Sequence, residues 1–317
     1  MDARQAVRRL RSEFYERLGQ DLGPQTIADA VSPLAQQTGS YESTVFDIFP
    51  FLFLDLFPGV TQEQALQLAY AGMLYLDYLR LEDAVADRQP VAGQFVHPAV
   101  GGLVHEEALA TLRALLGNDA VFWPSLRHCH QEYVRALIAE REVQTRRPMT
   151  YSRAERDRIA ADKCASGKAT FTALAALNSA EGPPKALLRS YDAFCVSYQL
   201  YDDILDWRQD YVHGPYSYLV VQALQYWQDR HEGKTAEQPR PDEMGQIIYY
   251  GRLAEDLLKE AGTYADQAVS LVQDLDCPAW VATLRECQAL YTRLADDLAQ
   301  LKEQGLITRG SERGLTP

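Results

Sequence analysis

The sequence predicts an all-α fold, and three observations lead to this prediction. Apolar residues recur at helical spacing over most of the 317 residues. Short breaks that contain glycine or proline separate these stretches from one another. Alternating β-branched runs bounded by Asn-Gly or Asp-Gly turns, which are typical of hairpins, do not occur in the sequence.

Ten helices are predicted from this pattern, each between helix-breaking positions. In chain order they cover residues 4–19, 42–57, 61–88, 103–116, 120–143, 153–181, 184–211, 215–230, 244–274 and 279–304. The breaks between them contain Gly23-Pro24, Pro58-Gly59, Pro90, Gly117-Asn118, Pro148, Gly182-Pro183-Pro184, Gly214-Pro215 and Cys277-Pro278. Because the breaks are short, we expect residues 1–317 to form a single domain, with a mobile loop near 231–243 and a frayed tail at 305–317.

The composition excludes several classes of protein. The 44 acidic and 31 basic residues give a net charge of −13, which argues against a nucleic-acid partner because phosphate backbones are bound by clustered Lys and Arg. Five cysteines without a Cys-x-x-Cys pair favour reduced thiols. The most apolar run, 45–57, is broken by Asp47, Pro50 and Asp55 and is too short to span a bilayer. The N-terminus lacks the apolar stretch of a signal peptide, so we expect a cytoplasmic protein.

Two acidic clusters lie on predicted helices. In the first, Asp83 and Asp87 are four residues apart and share a helix face, with Glu82 beside them. Like charges at this spacing repel each other, so this cluster is either a solvated face or a cation-binding face. The second cluster is denser: four carboxylates crowd one face over two turns of an otherwise apolar helix. These are Asp202, Asp203, Asp206 and Asp210.

Hard divalent cations are the natural partners of such a stripe. Oxygen ligands without His or Cys suit Mg²⁺, whereas a dinuclear iron bundle requires Glu-x-x-His pairs, and no Glu in this sequence has a His three residues later. Magnesium usually takes one or two carboxylates together with phosphate oxygens. The sequence therefore indicates a phosphate or diphosphate ligand, for which Arg88, Lys163 and Lys168 are candidate donors or ordinary surface cations.

These motifs resemble those of the trans-type isoprenoid synthases, a superfamily that includes prenyl diphosphate synthases, squalene and phytoene synthases and class I terpene synthases. Gly167-Lys168-Ala-Thr-Phe-Thr-Ala-Leu174 followed by Tyr198-Gln-Leu-Tyr-Asp-Asp-Ile-Leu-Asp206 is similar to the Lys-Thr-Ala and Phe-Gln-x-x-Asp-Asp-x-x-Asp segments of prenyl diphosphate synthases. Glu82-Asp83-x-x-x-Asp87 resembles a degenerate first aspartate-rich motif, and Arg88 matches a basic residue that commonly follows it. The resemblance implies an isoprenoid synthase helical bundle around a central apolar cavity.

The resemblance also implies the roles of individual residues toward a linear prenyl diphosphate substrate. Three magnesium ions per active site would be held by Asp83, Asp87, Asp202, Asp203, Asp206 and Asp210, with Asp83, Asp87, Asp202 and Asp206 as the catalytic residues. The diphosphate would be bound by Arg88, Lys163, Lys168 and Arg252. Aromatic rings stabilise a carbocation through their faces, and the expected cavity residues are Phe46, Phe49, Phe53, Tyr75, Tyr78, Phe171, Tyr198, Tyr201 and Tyr249. By the same analogy, Tyr78, five residues before Asp83, implies a C10 to C20 substrate.

The family's chain-elongating members carry a Gly-Gly-Lys-Arg-x-Arg-Pro stretch for a second diphosphate, but Leu18 to Leu79 contains no Lys or Arg. We therefore predict a carbon–oxygen lyase, a class I terpene synthase that cyclises or quenches the cation of a single prenyl diphosphate. One alternative is a prenyl-coupling transferase. It would act head to head, since Asp83-x-x-x-Asp87 and Asp202-x-x-x-Asp206 also resemble the squalene and phytoene synthase motifs, or it would elongate chains. The other alternative is a catalytically silent isoprenoid-binding subunit. A homodimer through the apolar segment 45–57 stays open.

Overall fold

The computed structural model describes residues 2–31, 34, 45–86, 97–146, 149–214, 216–230 and 238–304. The all-α prediction is confirmed, because this part of the chain contains helices and turns and no strand. The α-helices are α1 (Ala3–Leu22), α2 (Pro24–Ala30), α3 (Gln62–Ala86), α4 (His97–Leu116), α5 (Phe122–Thr145), α6 (Arg153–Lys163), α7 (Ser166–Leu177), α8 (Lys185–His213), α9 (Tyr218–Arg230), α10 (Pro241–Gly245), α11 (Leu253–Leu271) and α12 (Pro278–Glu303). Phe46–Phe53 is a 3₁₀ helix, and Gln246–Tyr250 is a π-helical turn. Across these ranges, no helix combines the length and the apolar character that a membrane crossing requires.

Several predicted helices differ from the observed ones for local reasons. The described part of predicted helix 42–57 contains the 3₁₀ helix Phe46–Phe53, which is followed by a turn. Within this 3₁₀ helix, Pro50 removes a backbone donor and Ile48 has non-helical dihedrals (φ −124°, ψ 17°). Helix α2 was not predicted; Pro24 occupies its first turn, directly after Gly23 at φ +94°. Helix α4 begins six residues earlier than predicted, at His97 rather than at 103.

Two long predicted helices are interrupted. The predicted helix 153–181 is split into α6 and α7, because Cys164 leaves helical geometry (φ −93°, ψ 6°) after Lys163. The predicted helix 244–274 is split into α10, the π-helical turn and α11, with Arg252 in the left-handed conformation at φ +70°. Of the predicted loop 231–243, residues 231–237 lie outside the described residues and α10 already begins at Pro241; the predicted tail 305–317 also lies outside them.

The chain forms two compact units. The first consists of Met1–Tyr133, Ala165–Leu188 and Asp274–Trp280, and the second of Val134–Cys164, Arg189–Gln273 and Val281–Pro317. The single domain expected over 1–317 stays a prediction.

Aromatic side chains fill the centre of the first unit. Phe53 packs on Phe171 with ring centroids 4.9 Å apart, and on Trp280 at 5.4 Å. Phe49 packs on Phe171 at 5.5 Å, and all four rings are buried. Because large aromatic side chains bury much apolar area and interlock at such distances, this cluster is a main source of the unit's stability. Around it, α3 packs against α1, α4 and the 3₁₀ helix.

Ion pairs fix α1 to the first unit. Arg11 donates two hydrogen bonds to the fully buried carboxylate of Asp77 (2.6 and 2.8 Å), which also accepts one from Tyr15 (2.9 Å). Arg8 donates to Asp47 on the 3₁₀ helix at 2.7 Å. Removing the Arg partner of a buried carboxylate strongly destabilises a folded protein. Because Arg11 is on α1 and Asp77 is on α3, this pair holds α1 in a defined register on α3.

In the second unit, α8 and α11 run antiparallel and approach closely. Ser190 and Ser197 on α8 donate hydrogen bonds to the backbone carbonyl oxygens of Ala268 (2.8 Å) and Ala261 (2.7 Å) on α11. Small side chains on both helices allow this approach. The two bonds fix the register of α8, the helix that carries the second aspartate cluster.

Candidate active site

The second aspartate cluster lies on α8 in the second unit. Asp203 is buried, with 3% of its surface exposed, and its Oδ1 accepts a hydrogen bond from Gln199 Nε2 at 2.8 Å. Asp202 and Asp210 are half-buried and Asp206 is exposed. The four carboxylates therefore extend from the interior of the unit to its surface along one helix.

Burial raises the pKa of Asp203 to about 6, although the hydrogen bonds from Gln199 and from the Leu219 backbone lower it. Burial also raises the pKa of Asp210 to about 8, and the charges of Asp203 and Asp206 add to this increase. Carboxylates that repel each other in a partly buried position are stabilised by a cation. A cation bound beside Asp203 and Asp210 would relieve this repulsion.

Lys163 is a basic residue whose charge acts on this cluster. It is the last residue of α6, and its Nζ lies 3.0 and 3.3 Å from the two carboxylate oxygens of Glu140 on α5. Its positive charge lowers the pKa of both Asp203 and Asp210. By contrast, Lys168 belongs to the first unit, where its Nζ lies 3.7 Å from Glu132.

Arg252, the fourth predicted diphosphate ligand, is in the second unit and directly precedes α11. Its Nη2 donates to Glu255 Oε1 at 2.9 Å, and its side chain is 60% exposed. The carboxylate of Glu255 also accepts hydrogen bonds from Lys259 (2.6 Å) and Lys302 (3.0 Å). These bonds, chiefly the one from Lys259, lower the pKa of Glu255 to about 2. Sequence reasoning identified Arg252 but did not identify the residues that form this charged cluster with it, Glu255, Lys259 and Lys302.

The first acidic cluster lies at the end of α3 in the first unit. Glu82 and Asp83 are half-buried in the last turns of the helix. Asp87 and Arg88 lie outside the described residues, so their predicted roles stay predictions. Sequence reasoning did not assign two histidines to this site, His105 on α4 and His130 on α5. Both contact aromatic side chains of α3, and the charge of Glu82 acts on His105.

In this group, Tyr75 Oη lies 2.9 Å from His130 Nδ1, and Tyr78 stacks on His105 with ring centroids 4.2 Å apart. Burial raises the pKa of both tyrosines, and Glu82 adds to the increase. Burial also lowers the pKa of His105, and the adjacent His130 lowers it further. Burial therefore favours the uncharged forms of Tyr75, Tyr78 and His105.

The nine predicted cavity residues all lie in described parts of the chain. Phe49, Phe53 and Phe171 belong to the buried aromatic cluster of the first unit. In the second unit, Tyr201 packs on Tyr291 at 5.3 Å. Tyr75 and Tyr78 are described above, and three residues remain. Phe46 packs on Phe49 (5.8 Å), Tyr198 packs on Phe194 (6.2 Å), and Tyr249 accepts a hydrogen bond from Trp207 Nε1 (3.0 Å). Which of the nine line a cavity stays a prediction.

The residues of the second cluster fit magnesium. In the described ranges, no three Asp, Glu, His or Cys side chains converge to form a complete metal cage. A magnesium site does not require such a cage, because the ion keeps several waters and takes one or two carboxylates plus phosphate oxygens. The donors are all carboxylate oxygens, and two of these carboxylates have raised pKa values, which is the chemistry that a hard cation stabilises.

Glu140, the ion-pair partner of Lys163, is a residue that sequence reasoning missed. It follows Tyr133 and Ala136 and precedes Val143, three buried residues on one stripe of α5. The spacing of three and four residues places Glu140 on the same stripe. An acidic residue on an apolar helical stripe is therefore the pattern that could have identified it.

Several solved structures that are similar to this chain are isoprenoid diphosphate synthases. Geranylgeranyl pyrophosphate synthase from Lactobacillus brevis is 16% identical, with a TM-score of 0.69 over 91% of this chain and 96% of that one. Geranylgeranyl pyrophosphate synthase from Corynebacterium glutamicum, complexed with isoprenyl diphosphate and magnesium, is 15% identical, with a TM-score of 0.62 over 92% and 97% of the two chains. A geranyltranstransferase from Thermotoga maritima is 14% identical, with a TM-score of 0.54 over 93% and 99%. No family model matches the sequence, and no curated protein does.

These similarities confirm the resemblance at the level of the fold: the chain has the all-α fold of the trans-type isoprenoid synthases. They also correct one prediction. The carbon–oxygen lyase class was wrong, because the similar solved structures named above are prenyltransferases. That prediction relied on the lack of basic residues between Leu18 and Leu79, and this lack bears on how a second substrate is held rather than on the class of reaction.

Proposed function

Starting from the isoprenoid synthase fold, we propose that this chain is a magnesium-dependent prenyltransferase. It would ionise an allylic prenyl diphosphate and join the prenyl group to a second isoprenoid molecule, with release of diphosphate. The observation that carries the proposal is the carboxylate cluster of α8 with Lys163 beside it. The solved structures of similar fold support it, and one of them contains isoprenyl diphosphate with magnesium.

Each acidic cluster is proposed to bind magnesium: Asp202, Asp203, Asp206 and Asp210 in the second unit, and Asp83 with Asp87 in the first. When bound, magnesium supplies Lewis-acid stabilisation of the charge that develops on the departing diphosphate. Lys163 donates charge-assisted hydrogen bonds to the phosphate oxygens. A count of three ions and the diphosphate roles of Arg88, Lys168 and Arg252 stay predictions.

The residues that would bind the second substrate, the acceptor of the prenyl group, are not assigned in this proposal. In the first unit, Arg8 and Arg11 form ion pairs with Asp47 and Asp77, and the sequence offers no further Lys or Arg from Leu18 to Leu79. An acceptor diphosphate would therefore need ligands other than the basic stretch that chain-elongating relatives use. Chain elongation is supported by the names of the structurally similar enzymes.

Head-to-head coupling is the second candidate, and one specific observation favours it. Both acidic clusters contain the Asp-x-x-x-Asp spacing, in Asp83 with Asp87 and in Asp202 with Asp206. This spacing resembles the paired motifs of the squalene and phytoene synthases. In that reaction, two molecules of one allylic diphosphate are joined.

The test is an incubation of the purified full chain with geranyl, farnesyl or geranylgeranyl diphosphate and Mg²⁺, with and without isopentenyl diphosphate. Products are extracted and analysed by mass spectrometry, and released diphosphate is measured. A longer prenyl diphosphate that forms only with isopentenyl diphosphate establishes chain elongation. A product with twice the carbon count from one diphosphate establishes head-to-head coupling. Either result supports the prenyltransferase proposal.

Two outcomes would refute the proposal. One is a hydrocarbon or alcohol that retains the carbon count of a single substrate; the other is the absence of diphosphate release with every substrate combination. Asp202→Ala is expected to abolish product formation while the helical circular dichroism spectrum is retained, because Asp202 is on a half-buried face of α8. Asp229→Ala, an exposed acidic position on α9, is the matched control and is expected to leave turnover unchanged.

A further inference from the structure

A largely buried ion pair joins α5 to the end of α6 beside the second aspartate cluster. Lys163 Nζ lies 3.0 Å from Glu140 Oε2 and 3.3 Å from Oε1, so the ammonium bridges both carboxylate oxygens. The side chains of Lys163 and Glu140 are only 22% and 21% exposed. At this depth the interaction is less screened than a surface pair.

Carboxylates and a further cation, Arg156, lie in the surroundings of this pair. The pKa of the neighbouring Tyr151 is raised chiefly by burial, and the charges of Glu140 and Asp203 raise it further. The charges of Lys163 and Arg156 lower it. The charge of Lys163 also acts on Asp203 and Asp210. The ammonium therefore lies within electrostatic reach of Glu140 and of two aspartates that are proposed to bind metal.

A lysine side chain has several rotatable bonds and can move its charge among nearby carboxylates. If Lys163 were released from Glu140, Asp203 and Asp210 would be the nearby acids that attract its ammonium. An ammonium bound there would compete with a divalent cation for the same oxygens. Glu140, anchored on the buried stripe of α5 between Ala136 and Val143, provides an alternative partner on a different helix.

We infer that Glu140 is a positioning residue: it holds the Lys163 ammonium at the edge of the aspartate cluster, so that the aspartates stay available to metal and Lys163 stays available to diphosphate. This inference rests on the proposed function. It assigns Glu140 a role through Lys163, and it gives Glu140 no direct contact with the metal ion.

The test measures metal binding directly. The full chain is titrated with MnCl₂, and free Mn²⁺ is followed by electron paramagnetic resonance. Glu140→Gln is expected to raise the Kd for Mn²⁺ about fivefold, because one ammonium then competes at partly exposed carboxylates. Glu142→Gln, two residues along the same helix and exposed, is the matched control and is expected to leave the Kd unchanged. Glu140→Asp keeps the charge and is expected to retain most of the wild-type affinity.

A double-mutant cycle separates the inference from a direct metal contact. In a Lys163→Met background, Glu140→Gln is expected to have no further effect on Mn²⁺ binding. An equal loss of affinity in that background, or an unchanged Kd in Glu140→Gln itself, would overturn the inference while leaving the proposed function in place. If the wild-type chain binds no Mn²⁺, with or without inorganic diphosphate, the metal assignment of the proposed function fails, and the inference fails with it. Glu140→Asp and Lys163→Met keep the test decisive if Glu140→Gln does not fold.

Discussion

Replacing Asp203 by Asn is expected to stabilise the metal-free protein at alkaline pH. Asp203 is buried, and its pKa is raised from 3.8 to about 6, so the folded state holds a proton that the unfolded state has already lost. Stability therefore falls as pH rises from about 4 to about 6, and stays lower above that range. A difference of about two pKa units corresponds to about 3 kcal/mol of free energy of unfolding. Asn is neutral at every pH and can still accept the hydrogen bond from Gln199.

The assay is urea unfolding of both proteins in the absence of metal, across the acidic to alkaline range. The stability difference between Asp203→Asn and the wild type should grow by about 2 kcal/mol between about pH 4.5 and pH 8. Comparing the change with pH removes any constant effect of the substitution. Asp229→Asn, an exposed carboxylate on α9, should show no comparable growth. A difference that stays flat, or that shrinks toward alkaline pH, would refute the assignment of Asp203 as a destabilised buried carboxylate. Excess Mg²⁺ should stabilise the wild type more than the Asn variant.

Three further substitutions test other parts of the molecule. Trp280→Ala, which empties the centre of the aromatic cluster, is expected to lower the free energy of unfolding by about 3–5 kcal/mol in urea titrations, and a loss under about 1 kcal/mol would contradict the packing described. Ser152→Ala removes the capping box of α6 and is expected to cost about 1 kcal/mol by the same measurement; an unchanged midpoint would show that the cap is unimportant. Lys163→Met is expected to raise the KM for the allylic diphosphate about tenfold, through loss of a charge-assisted hydrogen bond. A larger effect from Lys168→Met would reverse the choice between the two lysines.

The helical fold and the second aspartate cluster were predictable because both follow from spacing along one helix. Asp202, Asp206 and Asp210 are four residues apart, and this spacing places them on one face wherever the helix lies. The lysine that accompanies these aspartates was harder to identify, because it comes from another helix and the sequence offered both Lys163 and Lys168. Lys163 and Lys168 are five residues apart, and only the break at Cys164 separates α6 from α7 and places them in different units.

Other differences arise from physical effects that the apolar pattern does not contain. Pro50 and Ile48 convert an apolar stretch into a 3₁₀ helix, although its composition alone favours a continuous α-helix. Arg252 adopts a left-handed conformation that a non-glycine residue rarely takes, so no composition rule predicts the interruption before α11. The enzyme class was mispredicted because it was deduced from missing cations, and a missing residue does not reveal which other groups take its place.

The two serine bonds between α8 and α11 limit how this protein can change during evolution. Ser190 and Ser197 are separated by the same number of residues as their acceptors, Ala261 and Ala268, so both bonds form only when each intervening segment keeps its length. Point substitutions between them are compatible with this arrangement, but an inserted or deleted residue would rotate the following part of α8 by about 100°. Such a change would turn every downstream aspartate away from its present position. Homologous sequences that retain the aspartates should therefore vary in residue type between positions 190 and 197, and not in the number of residues.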